Sequence, residues 1–255
     1  MTRQPTVAGL FYPNDPRVLA ATVDALLDRA GRRRAPGLRA LVVPHAGYEY
    51  SGPVAASAFA LAPRAARVAL LGPSHFVPLA GFAVSGADAW ATPLGPVPVA
   101  GDIRERAVAA GALVDDAPHR EHALEVELPF LQRACRDGLE ILPVAVGETA
   151  PEEVASFIGA LEAFVVVSTD LSHYLDHATA QRVDLETATA VVARAAPLEI
   201  REHGACGVFA LRGIVEHARR ADLEIELLDL RTSADTAGDP GRVVGYGAFA
   251  VRGVA

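Results

Sequence analysis

Phe164-Val165-Val166-Val167-Ser168-Thr169-Asp170-Leu171-Ser172-His173 decides the fold. Its first five residues form a continuous apolar run rich in β-branched side chains. A strand with one wet face would alternate; this one does not, so it reads as a strand buried on both faces of a parallel-type sheet. The chain then turns polar at once and places Asp170 and His173 just beyond the strand end. In open α/β sheets, ligands bind beyond the carboxyl ends of the strands.

The same grammar extends outward. Leu41-Val42-Val43 and Val68-Ala69-Leu70-Leu71 read as further buried strands, and Ile141-Leu142-Pro143-Val144-Ala145-Val146 as another. Phe82-Ala83-Val84 and Val97-Pro98-Val99 read as short strands around a Pro-rich turn. Asn14-Asp15-Pro16 offers a cap followed by a first-turn proline, so a helix is expected to start there and continue through Leu27. Helical spacing predicts further helices over 54–61, 103–110, 124–136, 152–161, 180–194 and 207–219. The strand-like runs 223–230 and 243–251 close the chain, and with no helix between them they are expected to pair antiparallel. Strands alternating with helices imply an α/β fold, a three-layer αβα arrangement around a mostly parallel or mixed central sheet. No composition break divides residues 1–255, which read as a single domain.

Composition excludes several functions. The chain has 255 residues, 51% of them hydrophobic, enough for a full core and too apolar for a solvated coil. All 23 basic residues are arginine, so no Schiff-base or P-loop lysine is available. A formal net charge of -8 argues against nucleic acid or an anionic membrane as partner. Cys135 and Cys206 make no disulfide framework, no spanning helix is evident, and a cytoplasmic location is the simplest expectation. Arg32-Arg33-Arg34 reads as a solvated helix end.

Three strands end in unusual polar sequences, each carrying a histidine: Pro44-His45-Ala46-Gly47, Gly72-Pro73-Ser74-His75-Phe76, and the Ser168 to His173 stretch. Three histidines in equivalent positions point to a shared site. His122 stands where a helix is expected to begin, although its neighbours Glu121 and Glu125 also fit a solvated first turn. His119, His177, His203 and His217 read as surface histidines, and Cys135 as core filler. Cys206 lies between Ala205 and Gly207, ahead of an apolar helix whose N-terminus is expected to lower the thiol pKa. Three sites fit these groups: a metal centre of two histidines and a thiolate, Cys/His covalent catalysis, or an anion pocket. The serines near histidines lack a G-x-S-x-G elbow, and no G-x-G-x-x-G fingerprint is present.

An ordered motif set spans nearly the whole chain. It comprises Ala8-Gly9-Leu10-Phe11-Tyr12-Pro13, PHAGYEYSG at 44–52, GPSHF at 72–76 and Ala91-Thr92-Pro93-Leu94-Gly95. It continues with Glu121-His122-Ala123-Leu124-Glu125, Leu128-Pro129-Phe130-Leu131-Gln132, STDLSH at 168–173, Gly204-Ala205-Cys206-Gly207 and Val244-Gly245-Tyr246-Gly247-Ala248. This set resembles the Memo family, whose microbial members are called AmmeMemoRadiSam system protein B. The family's fold is similar to that of type III (LigB-like) extradiol dioxygenases.

The resemblance implies His45 and His75 as metal ligands, with Cys206 where the dioxygenases have a carboxylate. It implies His122 and His173 as acid/base groups, and Asp170 as a companion carboxylate that orients His173 or the ligand. The implied metal is iron(II) or copper, acting on O₂ or a small organic substrate. The second histidine often found after GPSH is Phe76 here. A thiolate is softer than a carboxylate and can itself be oxidised, so ring cleavage does not carry over with the fold. The family also suggests a rival: a non-catalytic binding module for a phosphorylated or carboxylated ligand, or for radical-SAM and Ammecr-domain partners. Hydrolysis through Cys206 is a third reading.

Overall fold

Twelve strands and seven α-helices alternate along the chain in the computed structural model, which describes residues 1–33, 35–64, 66–135 and 138–253. In order they are β1 (Thr2–Arg3), α1 (Pro16–Ala30), β2 (Leu38–Val43), α2 (Gly52–Phe59), β3 (Ala66–Pro73), β4 (Phe82–Val84), β5 (Ala89–Thr92) and β6 (Gly95–Pro98). Next come α3 (Gly101–Ala109), β7 (Leu113–Val114), α4 (Leu128–Ala134), β8 (Leu139–Val146), α5 (Pro151–Leu161) and β9 (Phe164–Ser168). The last are β10 (His173–Leu175), α6 (His177–Val192), α7 (Val208–Arg220), β11 (Leu223–Thr232) and β12 (Val243–Gly253).

The central sheet is mixed. Four parallel strands, in the order β2-β9-β3-β8, form its middle. β12 is antiparallel to β2 on one side, and β4 is antiparallel to β8 on the other. β9 is therefore flanked by β2 and β3, and its apolar run is buried on both faces. Val165 and Val167 join one core with Val42, Leu71 and Val144. Val166 joins the opposite core with Leu41, Leu70 and Ile141. Helices α3, α5, α6 and α7 cover the first face, and α1, α2 and α4 the second. This is the expected three-layer architecture. The closing strands pair antiparallel, from Leu223 opposite Gly253 to Thr232 opposite Gly245.

Local sequence explains the helix starts. Asp15 accepts hydrogen bonds from the N–H groups of Arg17 and Val18 at 2.8 and 3.0 Å, and Pro16 opens α1. Past α1, Arg32 pairs with Asp24 and Asp28, while Arg34 lies outside the described residues.

The helix expected over 124–136 is shorter. A 3₁₀ turn at Glu125–Glu127 precedes α4, which spans Leu128–Ala134, and Arg136 lies outside the described residues. Pro129 has no N–H to give a preceding turn, so it marks the first turn of the α-helix rather than its interior. The short strands β1, β5, β7 and β10 were not expected. β1 is parallel to β5 in a separate small sheet with β6, and β10 adds to the end of β12.

Candidate metal centre

The carboxyl ends of β2, β9 and β3 lie side by side, which gathers residues from distant sequence. His45 follows β2 by two residues and is buried, at 1% exposure. His75 follows β3 by two. Cys206 sits in the turn before α7 and is laced to the segment after β9. The Cys206 N–H donates to the Asp170 carbonyl at 3.1 Å, and the Asp170 N–H lies 3.3 Å from Cys206 Sγ. Gly207 N–H donates to Thr169 Oγ1 at 2.8 Å. A Cβ on Gly207 would come within 2.9 Å of the Ser168 carbonyl oxygen, so only glycine lets this turn approach so closely.

Cys206 Sγ lies 3.3 Å from His45 Nε2. One ligand atom from each of His45, His75 and Cys206 can be chosen so that all lie within 4.8 Å of one another. The rings of His45 and His75 meet edge to face at 5.4 Å between centroids. Each imidazole is fixed through its other nitrogen: His45 Nδ1 is 2.8 Å from Ser168 Oγ, and His75 Nδ1 is 2.6 Å from Glu121 Oε2. An N–H at Nδ1 leaves Nε2 as the lone-pair nitrogen of both rings.

The remaining predicted residues surround this trio. His122 stacks on His75 at 5.2 Å and meets the His45 edge at 5.4 Å, with Phe11 packed against it at 4.8 Å. His75, Glu121 and His122 form a second group whose polar atoms lie within 4.8 Å. Asp170 Oδ1 accepts the His45 backbone N–H at 2.8 Å, so it orients the His45 loop. His173 opens β10, and its Nδ1 is 2.8 Å from the Leu171 carbonyl, which leaves Nε2 without a proton.

Burial favours the neutral form of His45, His122 and His173. Burial, then the nearby His122, His75 and His173, push the His45 pKa well down. Burial lowers His122, reinforced by His75, and burial also lowers His173. Asp170 is pushed up to about 7 by burial, although the His45 and Ala46 N–H groups oppose this. The thiol expectation is overturned: burial, then the neighbouring Asp170 charge, push Cys206 up to about 12. Hydrogen bonds from the Asp170 and Gly207 N–H groups favour the thiolate but do not prevail. Without a cation the thiol holds its proton; a dication beside it reverses that balance.

Two further expectations are corrected. Glu121 and Glu125 are buried rather than a solvated first turn, and Glu127 is buried with them. Glu125 accepts Arg3 Nη1 at 2.7 Å, the Val7 N–H at 2.9 Å and the Tyr12 hydroxyl at 2.7 Å, which ties the N-terminal segment beside Phe11 and His122. His119 is also buried, with its ring edge on Trp90 at 5.6 Å. His203 is exposed, whereas His177 and His217 are half-buried. Ser168, Glu121 and Glu127 carry site geometry that local sequence did not reveal.

The fold and site define a three-layer α/β protein with a histidine–cysteine cluster at the crest of its parallel strands. Residues 3–250 match the model of the Memo-like protein family. A MEMO1 family protein of Methanococcoides burtonii is 35% identical, with 98% of this chain and 100% of the relative covered. One from Aquifex aeolicus is 34% identical, covering 96% and 97%. Another from Methanopyrus kandleri is 34% identical, covering 99% of both. The chain belongs to the Memo-like family. Among the described residues, no helix is long and apolar enough to cross a membrane.

Proposed function

We propose that His45, His75 and Cys206 hold one iron(II) or copper ion, and that this centre acts on a small organic ligand. The convergence of the three ligand atoms within 4.8 Å carries this reading. That spread is slightly wider than the roughly 3.5 Å separation that bonds of about 2.1 Å impose in a tetrahedral shell. Two imidazoles and a thiolate suit iron, copper or zinc and do not suit magnesium or calcium. Both histidines also have the outer hydrogen-bond partners that metal-ligating histidines use. A site that depends on a free thiol fits a reducing, cytoplasmic setting.

The bound metal would supply Lewis-acid or one-electron chemistry toward O₂ or the ligand. The chain supplies the rest. His173 Nε2 accepts a proton from the ligand, because its Nδ1 hydrogen is committed to Leu171. His122, beside His75 and partly exposed, exchanges protons with solvent. Phe11 shields one face of the His122 ring from water. Asp170 holds the His45 backbone in place.

Anaerobic titration with cobalt(II) tests the ligand set. The expected result is one equivalent bound, with a thiolate-to-cobalt absorption band that disappears in Cys206→Ser. Binding that persists in Cys206→Ser with an unchanged spectrum, or no binding in the wild type, would overturn the assignment.

A further inference from the structure

Behind His45 lies a group that the proposed metal site does not use. Ser168 Oγ has three close neighbours: the Ala123 carbonyl at 2.7 Å, Glu127 Oε1 at 2.8 Å and His45 Nδ1 at 2.8 Å. A serine hydroxyl has one hydrogen and can accept two. The Ala123 carbonyl can only accept, so it takes the Ser168 hydrogen. The other two neighbours must then donate. His45 does so through Nδ1–H. Glu127 does so only if its carboxyl carries a proton.

Burial agrees with the hydrogen count. Glu127 is fully buried, and its Oε2 has no hydrogen-bond partner among the described residues. An ionised carboxylate would leave a charged oxygen bare in an apolar site; the acid leaves only a neutral carbonyl oxygen. No ion pair reaches Glu127 among the described residues. The nearby Asp170 carboxyl disfavours a second negative charge, and burial itself holds the Glu127 proton well above the usual carboxylate range.

We propose that Glu127 is a neutral carboxylic acid that positions His45: by donating to Ser168 it fixes the hydroxyl, which in turn holds His45 as the Nδ1–H tautomer with Nε2 facing Cys206. The effect on metal binding rests on the reading of His45 as a ligand; the tautomer does not. Glu127 touches neither metal nor substrate and acts through two hydrogen bonds. Sequence gives no sign of this, since Glu127 and Ser168 are 41 residues apart.

The test begins with the metal-free full chain. Nitrogen-15 NMR of the imidazoles at about pH 7 should report the Nδ1–H tautomer for His45. Infrared difference spectra of wild type against Glu127→Gln should show the carbonyl stretch of a protonated carboxyl. Glu127→Gln should keep the tautomer, because its amide N–H can replace the acid as donor. Glu127→Met and Ser168→Ala should mix the tautomers and weaken metal binding by about 10- to 100-fold, the usual effect of removing an outer partner of a ligand histidine. Carboxylate bands in place of the acid band would overturn the proposal even if Glu127→Met did not fold. So would an unchanged His45 tautomer in a folded Glu127→Met. A chain with the expected tautomer and acid band but no metal affinity would refute the metal site and leave this inference standing.

Discussion

Cys206 Sγ and His45 Nε2 lie 3.3 Å apart across 161 residues of sequence. Two separate hydrogen-bond systems produce that approach. Ser168 turns the His45 ring, while the Asp170 N–H faces the thiol and the Thr169 hydroxyl accepts the Gly207 N–H of its turn. Both systems sit at the end of β9, the strand between β2 and β3. The pair is a product of the sheet order rather than of any local motif.

The buried thiol should be sluggish toward alkylation. Cys206 is pushed up to about 12, so little thiolate is present near neutral pH. Cys135 is likewise raised to about 12 by burial. Metal-free protein is expected to react with iodoacetamide more slowly than a model thiol, at both positions. Rapid labelling confined to Cys206 would favour covalent Cys/His chemistry.

Glu121 should control His75 as Ser168 controls His45. Its Oε2 lies 2.6 Å from His75 Nδ1 and is nearly fully buried. Glu121→Gln replaces the carboxyl oxygen that accepts the His75 Nδ1 hydrogen with a weaker amide acceptor and loosens the hold on the ring. A loss of about 10- to 100-fold in metal affinity is expected, without a comparable loss of stability. An unchanged dissociation constant would show that His75 does not depend on this partner.

His119 makes stability depend on pH. Burial lowers its pKa to about 4, whereas the unfolded chain has an ordinary histidine value of about 6.5. Between those values the unfolded state binds the extra proton, so this contribution is present above about pH 6.5 and is lost as pH falls toward about 4. Urea unfolding at about pH 7 and about pH 4.5 should differ by about 2 kcal/mol more in wild type than in His119→Phe. Equal pH dependence in the two proteins would show that the ring is accessible to protons when folded.

Legibility followed the range of the interactions. The buried strands were readable because burial on both faces leaves uninterrupted runs such as Val165-Val166-Val167. The helix start at Asp15-Pro16 was readable because its cap is local. His45, His75 and His173 stood out because each follows such a run. The acids behind them did not: Glu121 reaches His75 across 46 residues. Its neighbourhood looks like a polar helix start, yet it packs under the strand crest. Cys206 shows the same limit. Its adjacent glycine and helix predict a lowered pKa, while burial and Asp170, brought by the fold, raise it. β10 has no apolar run, and it is a strand because β12 offers its edge.

Metal content measured on protein purified without oxygen tests the proposed centre most directly. Wild type should carry close to one equivalent of iron or copper, while Cys206→Ser and His75→Ala, both folded by circular dichroism, should carry almost none. A folded wild type that holds no metal even after anaerobic reconstitution, or variants that retain a full equivalent, would contradict a metal centre built from His45, His75 and Cys206.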